Sequence, residues 1–177
     1  MSTSAIDEVL QFWFGDLDEH GRAADGWGAR WWKKDAAFDE EIRSRFGALH
    51  AAVAAGQRTD WLATARGRLA YIIVLDQFSR NMLRDTPAMY ACDADTQAVV
   101  SEGIELGHDQ ELRCDERAFF YMPLMHSESV ELHEQCVAAF QALFDATPEH
   151  ARAGLDANLS AAAQHRDIVV RFGRFPH

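Results

Sequence analysis

The sequence predicts an all-α protein built of stacked antiparallel helical hairpins. Three observations carry this. Apolar residues recur at helical spacing almost throughout. Only four prolines interrupt 177 residues, and β-branched runs are few while alanine is abundant. Short polar breaks with glycine separate the periodic stretches, which implies about seven or eight helices with short connections in a single domain spanning residues 1–177.

The elements follow in order. Ser4 caps a first helix with Asp7 three residues on, and Ile6, Val9, Leu10 and Trp13 form one stripe ahead of Gly15. A loop rich in glycine and aspartate runs to Gly28, and Trp31 and Trp32 lead into a second helix. Asp35 caps that helix, Phe38, Ile42, Phe46, Leu49 and Val53 face inward, and Gly56 ends it. A third helix starts at Thr59 or Asp60 and reaches Arg84. Thr86-Pro87 opens a fourth segment, broken near Cys92-Asp93 and stopped at Gly107. Asp115 caps a fifth, which Pro123 kinks or ends. Ser127 or Ser129 opens a sixth, with Val130, Val137, Phe140 and Phe144 inward. Thr147-Pro148 opens the last, which ends at Gly173.

Composition excludes several roles. A net charge of −11 argues against nucleic acid or an anionic membrane as partner, because both need a basic footprint. No apolar run approaches the roughly 18 residues of a membrane helix. Met1-Ser2-Thr3-Ser4-Ala5-Ile6-Asp7-Glu8 lacks the basic and apolar regions of a secretory signal, so a cytoplasmic location is expected. Cys92, Cys114 and Cys136 form no Cys-x-x-Cys and are expected to be reduced thiols. No P-loop or dinucleotide fingerprint occurs, and no cofactor is implied.

The most informative stretch is Leu75-Asp76-Gln77-Phe78-Ser79-Arg80-Asn81-Met82-Leu83-Arg84, directly after the apolar Ala70-Tyr71-Ile72-Ile73-Val74. At about 100° per residue from Leu75, Asp76, Gln77, Arg80, Asn81 and Arg84 share one continuous arc. One or two turns earlier that arc is apolar, the pattern of a helix running from a core into a cleft. Two further blocks couple apolar residues to His, Arg or carboxylate: Tyr121-Met122-Pro123-Leu124-Met125-His126-Ser127-Glu128 and residues 165–177, which hold His165, Arg171 and Arg174. The three blocks carry formal charges of +1, −1 and +2 inside an acidic chain, which points to a pocket for a small anion or a peptide carboxylate.

Each block also has a structural reading. The arc can be an internal network holding helices in register. His126 and Glu128 can bond backbone at a helix end, and a lone His165 on an apolar stripe is more often a satisfied core residue than a ligand. Arg171 and Arg174 flank Gly173, where they can satisfy the last helical carbonyls. The zinc-protease pattern fails because Val137 stands where a second histidine is needed after His133-Glu134, so no metal site is predicted, although His126, Glu128, His133 and His165 could converge by folding.

Taken together, Leu75-Asp76-Gln77-Phe78-Ser79-Arg80-Asn81, Met122-Pro123-Leu124-Met125-His126-Ser127-Glu128 and Arg171-Phe172-Gly173-Arg174-Phe175-Pro176-His177 resemble the hallmarks of a bacterial family, the domain of unknown function 924. Val9-Leu10-Gln11-Phe12-Trp13-Phe14-Gly15 and Arg30-Trp31-Trp32 fit it too. The resemblance spans essentially the whole chain and implies a tetratricopeptide-like helical fold, although the tetratricopeptide signature itself is absent as a sequence pattern. No activity is established for that family, so a fold is implied and not a reaction. The family pattern continues past Phe-Pro-His with basic and glycine-containing residues, whereas the sequence here stops at His177, so a site completed by such a tail would be missing here.

Three functional expectations result. The first is a non-catalytic binding module for a small anionic ligand or peptide carboxylate, through Gln77, Arg80, Asn81, Arg84, His165, Arg171 and Arg174. The second is a hydrolase with His126 as general base oriented by Glu128 or Asp76, for which Asp76→Asn removes turnover with little effect on melting. The third treats all three blocks as packing.

Overall fold

A computed structural model describes residues 4–176, and among these the fold is all-α, with eight helices if the segments of one continuous rod are counted together, and no strand. Ser4 Oγ accepts the Asp7 amide at 3.1 Å and opens α1 (Ala5–Phe14), which Gly15 ends at φ 64°. The loop that follows closes on one isolated bridge, Leu17 to Ala23. A short α2 (Gly28–Trp32) precedes α3 (Ala36–Ala54), whose first amides are capped by Asp35.

The central element is one rod made of α4 (Ala65–Ile72), a π-helical turn (Ile73–Phe78) and α5 (Ser79–Met82). It starts at Thr64, later than Thr59 or Asp60, because residues 59–63 form a tight 3₁₀ turn and the Thr64 hydroxyl accepts the Gly67 amide at 3.1 Å. Residues 67–79 of the rod are buried without a break. A Cβ on Gly67 would sit 2.2 Å from the Trp61 carbonyl oxygen. Gly67→Ala is therefore expected to cost about 1–3 kcal/mol, read as a lower urea midpoint. A midpoint equal to the parent's would mean the turn relaxes freely.

The remaining helices wrap this rod. α1 and α3 pack on one side, with Trp13, Phe12 and Phe46 against Phe78. On the other side lie α6 (Asp93–Glu105) and α7 (Cys114–Met125). α7, α8 (Val130–Ala146) and α9 (Leu155–Phe172) then pack in sequence as stacked hairpins.

Three local expectations are corrected. Asp115 does not cap α7; Arg113 occupies that position, and the Asp115 carboxylate accepts the Ala23 amide at 2.7 Å and pairs with Arg22 at 2.7 Å, tying the first loop down. Pro123 does not end α7, which carries it inside and continues to Met125. Val130, the first residue of α8 after the Ser129 cap, does not face inward but stands 41% exposed. The three cysteines are free thiols; burial pushes Cys136 up to about 12, so it is inert at neutral pH. No helix among the described residues is long and apolar enough to cross a membrane.

Candidate functional site

Three distant stretches meet where the rod's π turn faces the end of α7 and the start of α8. Asp76 lies inside the π turn and is 0% exposed. Its Oδ1 accepts from His126 Nδ1 at 2.8 Å and pairs with Arg80 at 2.9 Å, and its Oδ2 accepts from Gln77 Nε2 at 2.6 Å. Burial drives the Asp76 carboxyl up, but His126, Arg80 and Gln77 outweigh it and hold it below the usual carboxylate range. Arg80 donates to both oxygens of Asp93, at the start of α6, at 2.9 Å each. Burial alone would lower Arg80, and the two carboxylates more than reverse this, so it stays charged.

In the neutral form of His126, ionised Asp76, which only accepts, places the ring proton on Nδ1 and the lone pair on Nε2. The rest of the ring borders a cleft of about 480 Å³. Arg80, Asp93, Tyr90, Glu128, His165 and Phe175 line it with His126. His165 Nδ1 donates to the Ala161 carbonyl at 2.7 Å, so in the neutral ring the lone pair is on Nε2. Glu128 Oε1 accepts the Phe175 amide at 3.2 Å. It does not orient His126; Asp76 does.

The rod's polar residues split between two neighbours. Asn81 and Arg84 turn to Asp39 on α3, at 2.8 Å for Asn81 and 2.9 and 3.0 Å for Arg84. They line no part of the cleft. A wheel at constant pitch merges the two groups because it ignores the π turn, whose wider turn rotates everything downstream. Arg171 is exposed over the Phe172 ring at 5.0 Å and Arg174 is exposed, both outside the cleft. His133 is buried on the Ser127 carbonyl at 2.8 Å, where burial keeps it neutral. Among the described residues no set of His, Cys, Asp and Glu is arranged to hold a metal ion.

Sequence reasoning missed Asp93 and Tyr90. Asp93 reads as an ordinary first-turn acid of α6, and nothing local marks it as the partner of Arg80, thirteen residues earlier. It also missed Arg68, a fully buried cation on the same rod.

The family described as "Bacterial protein of unknown function (DUF924)" matches residues 9–177. A solved structure of a protein of unknown function from Agrobacterium tumefaciens (ATU0120) is similar at 35% identity and a TM-score of 0.81, covering 97% of this chain and 86% of that one. No curated protein matches.

Proposed function

The chain belongs to the bacterial DUF924 family of unknown function, and from the geometry of its cleft we propose that it is a hydrolase in which His126 acts as general base and Asp76 orients it. One observation carries this reading: a fully buried carboxylate accepts the Nδ1 proton of a histidine at 2.8 Å while the rest of the ring borders a cleft. That pairing fixes the tautomer and aims the Nε2 lone pair at whatever the cleft holds.

The chemistry follows. A water beside Nε2 gives up a proton to it as the water oxygen attacks an electrophilic acyl carbon. Asp76 stabilises the imidazolium that forms, and Nε2 then returns the proton to the leaving group. A cleft of about 480 Å³ suits a small substrate. The π-helical turn that presents Asp76 adds support, since such turns are frequent at functional sites.

The binding-module reading for an anion or peptide carboxylate is the competitor, drawn from the positive surplus of the three sequence blocks. It is weakened here because the Arg80 guanidinium is already committed to Asp76 and Asp93.

The test is a screen of purified protein against small esters, lactones and amides, followed by His126→Asn. The asparagine amide can still donate to Asp76 but has no basic nitrogen. Turnover is expected to fall by about 10²–10⁴-fold with melting within a few degrees of the parent. Silence across every substrate class, or full turnover by His126→Asn, would end the proposal.

A further inference from the structure

We infer that the cleft takes a positively charged, hydrogen-bond-donating group, an ammonium or guanidinium on a small molecule, and not an anion. This deepens the general-base reading by naming what enters the same cleft, but it stands on which polar atoms are still available there.

Among the described residues of the lining, Arg80 is the one permanent cation. Its two terminal nitrogens are held by Asp93 at 2.9 Å each, and Nη1 also contacts Asp76 Oδ1 at 2.9 Å and the Asp76 carbonyl at 3.4 Å. An incoming carboxylate or phosphate would meet a guanidinium whose charge is already matched by the buried Asp76 and the half-buried Asp93. Asp93 and Glu128 retain unused lone pairs, since each oxygen has room for more than one donor. In their neutral forms His126 and His165 direct their Nδ1 protons to Asp76 and to the Ala161 carbonyl, which leaves Nε2 of each as an acceptor. The cleft thus offers acceptors nearly everywhere, with one guanidinium set against the carboxylates of Asp76, Asp93 and Glu128. The Tyr90 and Phe175 rings and the Met89 and Met125 thioethers supply the soft, apolar part of the lining, which favours a cation over an anion. The surplus of positive charge in the sequence blocks does not reach the cleft, because Arg84 is held by Asp39, and Arg171 and Arg174 lie outside it.

The test uses the full chain and four probes at constant ionic strength: butylammonium, butylguanidinium, butyrate and inorganic phosphate. Imidazole proton resonances report the binding site, with the His126 signal identified from its loss in His126→Asn. Saturable shifts of the His126 and His165 signals are expected with the two cations only. Glu128→Gln, which keeps an acceptor for the Phe175 amide but loses the charge, should weaken that binding roughly tenfold. Saturable shifts with butyrate or phosphate and none with the cations overturn the inference. So do four silent probes, or cation shifts confined to His20 and His150, which contact each other and line a different cleft. Because binding is read without turnover, cations that bind a protein lacking any esterase or amidase activity would uphold this inference while sinking the general-base reading.

Discussion

Asp76→Ala is expected to lower stability by about 3–5 kcal/mol, because it strips one partner from a buried ionic network and leaves the others in place. The carboxylate is 0% exposed and holds Arg80, His126 and Gln77 at 2.9, 2.8 and 2.6 Å. For a chain of this length that loss corresponds to a melting temperature lower by roughly 10 °C. Asp76→Asn is expected to lose stability as well, though less, since the amide fills the same space and keeps one acceptor. The sequence alone suggested an Asp76→Asn variant with nearly unchanged melting, and full burial removes that expectation. Asp76 is a structural keystone, and under the proposed general-base reading it also positions His126, so activity data on its variants need the His126→Asn comparison.

The same pairing predicts acid sensitivity. Asp76 and Asp39 both have carboxyls held below the ordinary value in the folded chain; for each, burial raises it and the paired cation and amide partners lower it further. Each contributes stability that is present above the unfolded value of about 3.9 and is lost as pH falls through the folded one. Urea midpoints should therefore be insensitive to these two groups between about pH 5 and 8 and fall below about pH 4. Asp76→Asn should flatten part of that acid limb. An acid limb identical to the parent's would show that Asp76 contributes nothing to it.

Arg68→Ala is the second large effect, about 3–5 kcal/mol, measured by chemical denaturation. Arg68 is 1% exposed and works as an internal clamp. Its Nη1 donates to the Val99 carbonyl at 2.7 Å and to Glu102 at 2.8 Å, its Nη2 to the Leu62 carbonyl at 3.0 Å, and its Nε to His108 at 3.2 Å. One planar fork thus joins the 3₁₀ turn before α4, the helix α6 and the turn after it. Alanine removes those bonds and opens a void beside Gly103, where the Arg68 stem already lies 2.5 Å from the place a Cβ would take. Arg68→Lys keeps the charge but cannot donate to three elements at once, and should cost less than alanine yet remain clearly destabilising. A lysine variant as stable as the parent would mean that charge, and not the fork, is what the site needs.

Much of the fold was legible from local chemistry. The Ser4, Asp35 and Ser129 caps and the Gly15, Gly107 and Gly173 stops act through backbone groups within a few residues, so sequence spacing is enough to find them. Thr64 was missed because the polar run from Thr59 offers several cap candidates, and a 3₁₀ turn used the earlier ones. Arg68 lay in view on the wheel, about 20° from Leu75 on the apolar side, where a charged residue signals an internal partner. That signal was there to be read.

What the sequence determined by itself was the all-α class, the order of the helices, and the three stretches in which polar residues sit among apolar ones. These depend on periodicity and capping, which are properties of neighbours along the chain. Only the tertiary structure decided which polar residues face one another. It gave Asp76 to His126, Arg80 to Asp93 and Arg84 to Asp39, and it turned Arg171 and Arg174 away from the cleft. The physical reason is that an ion pair forms with whatever charge packing brings within a few ångströms, and that distance bears no relation to separation along the chain.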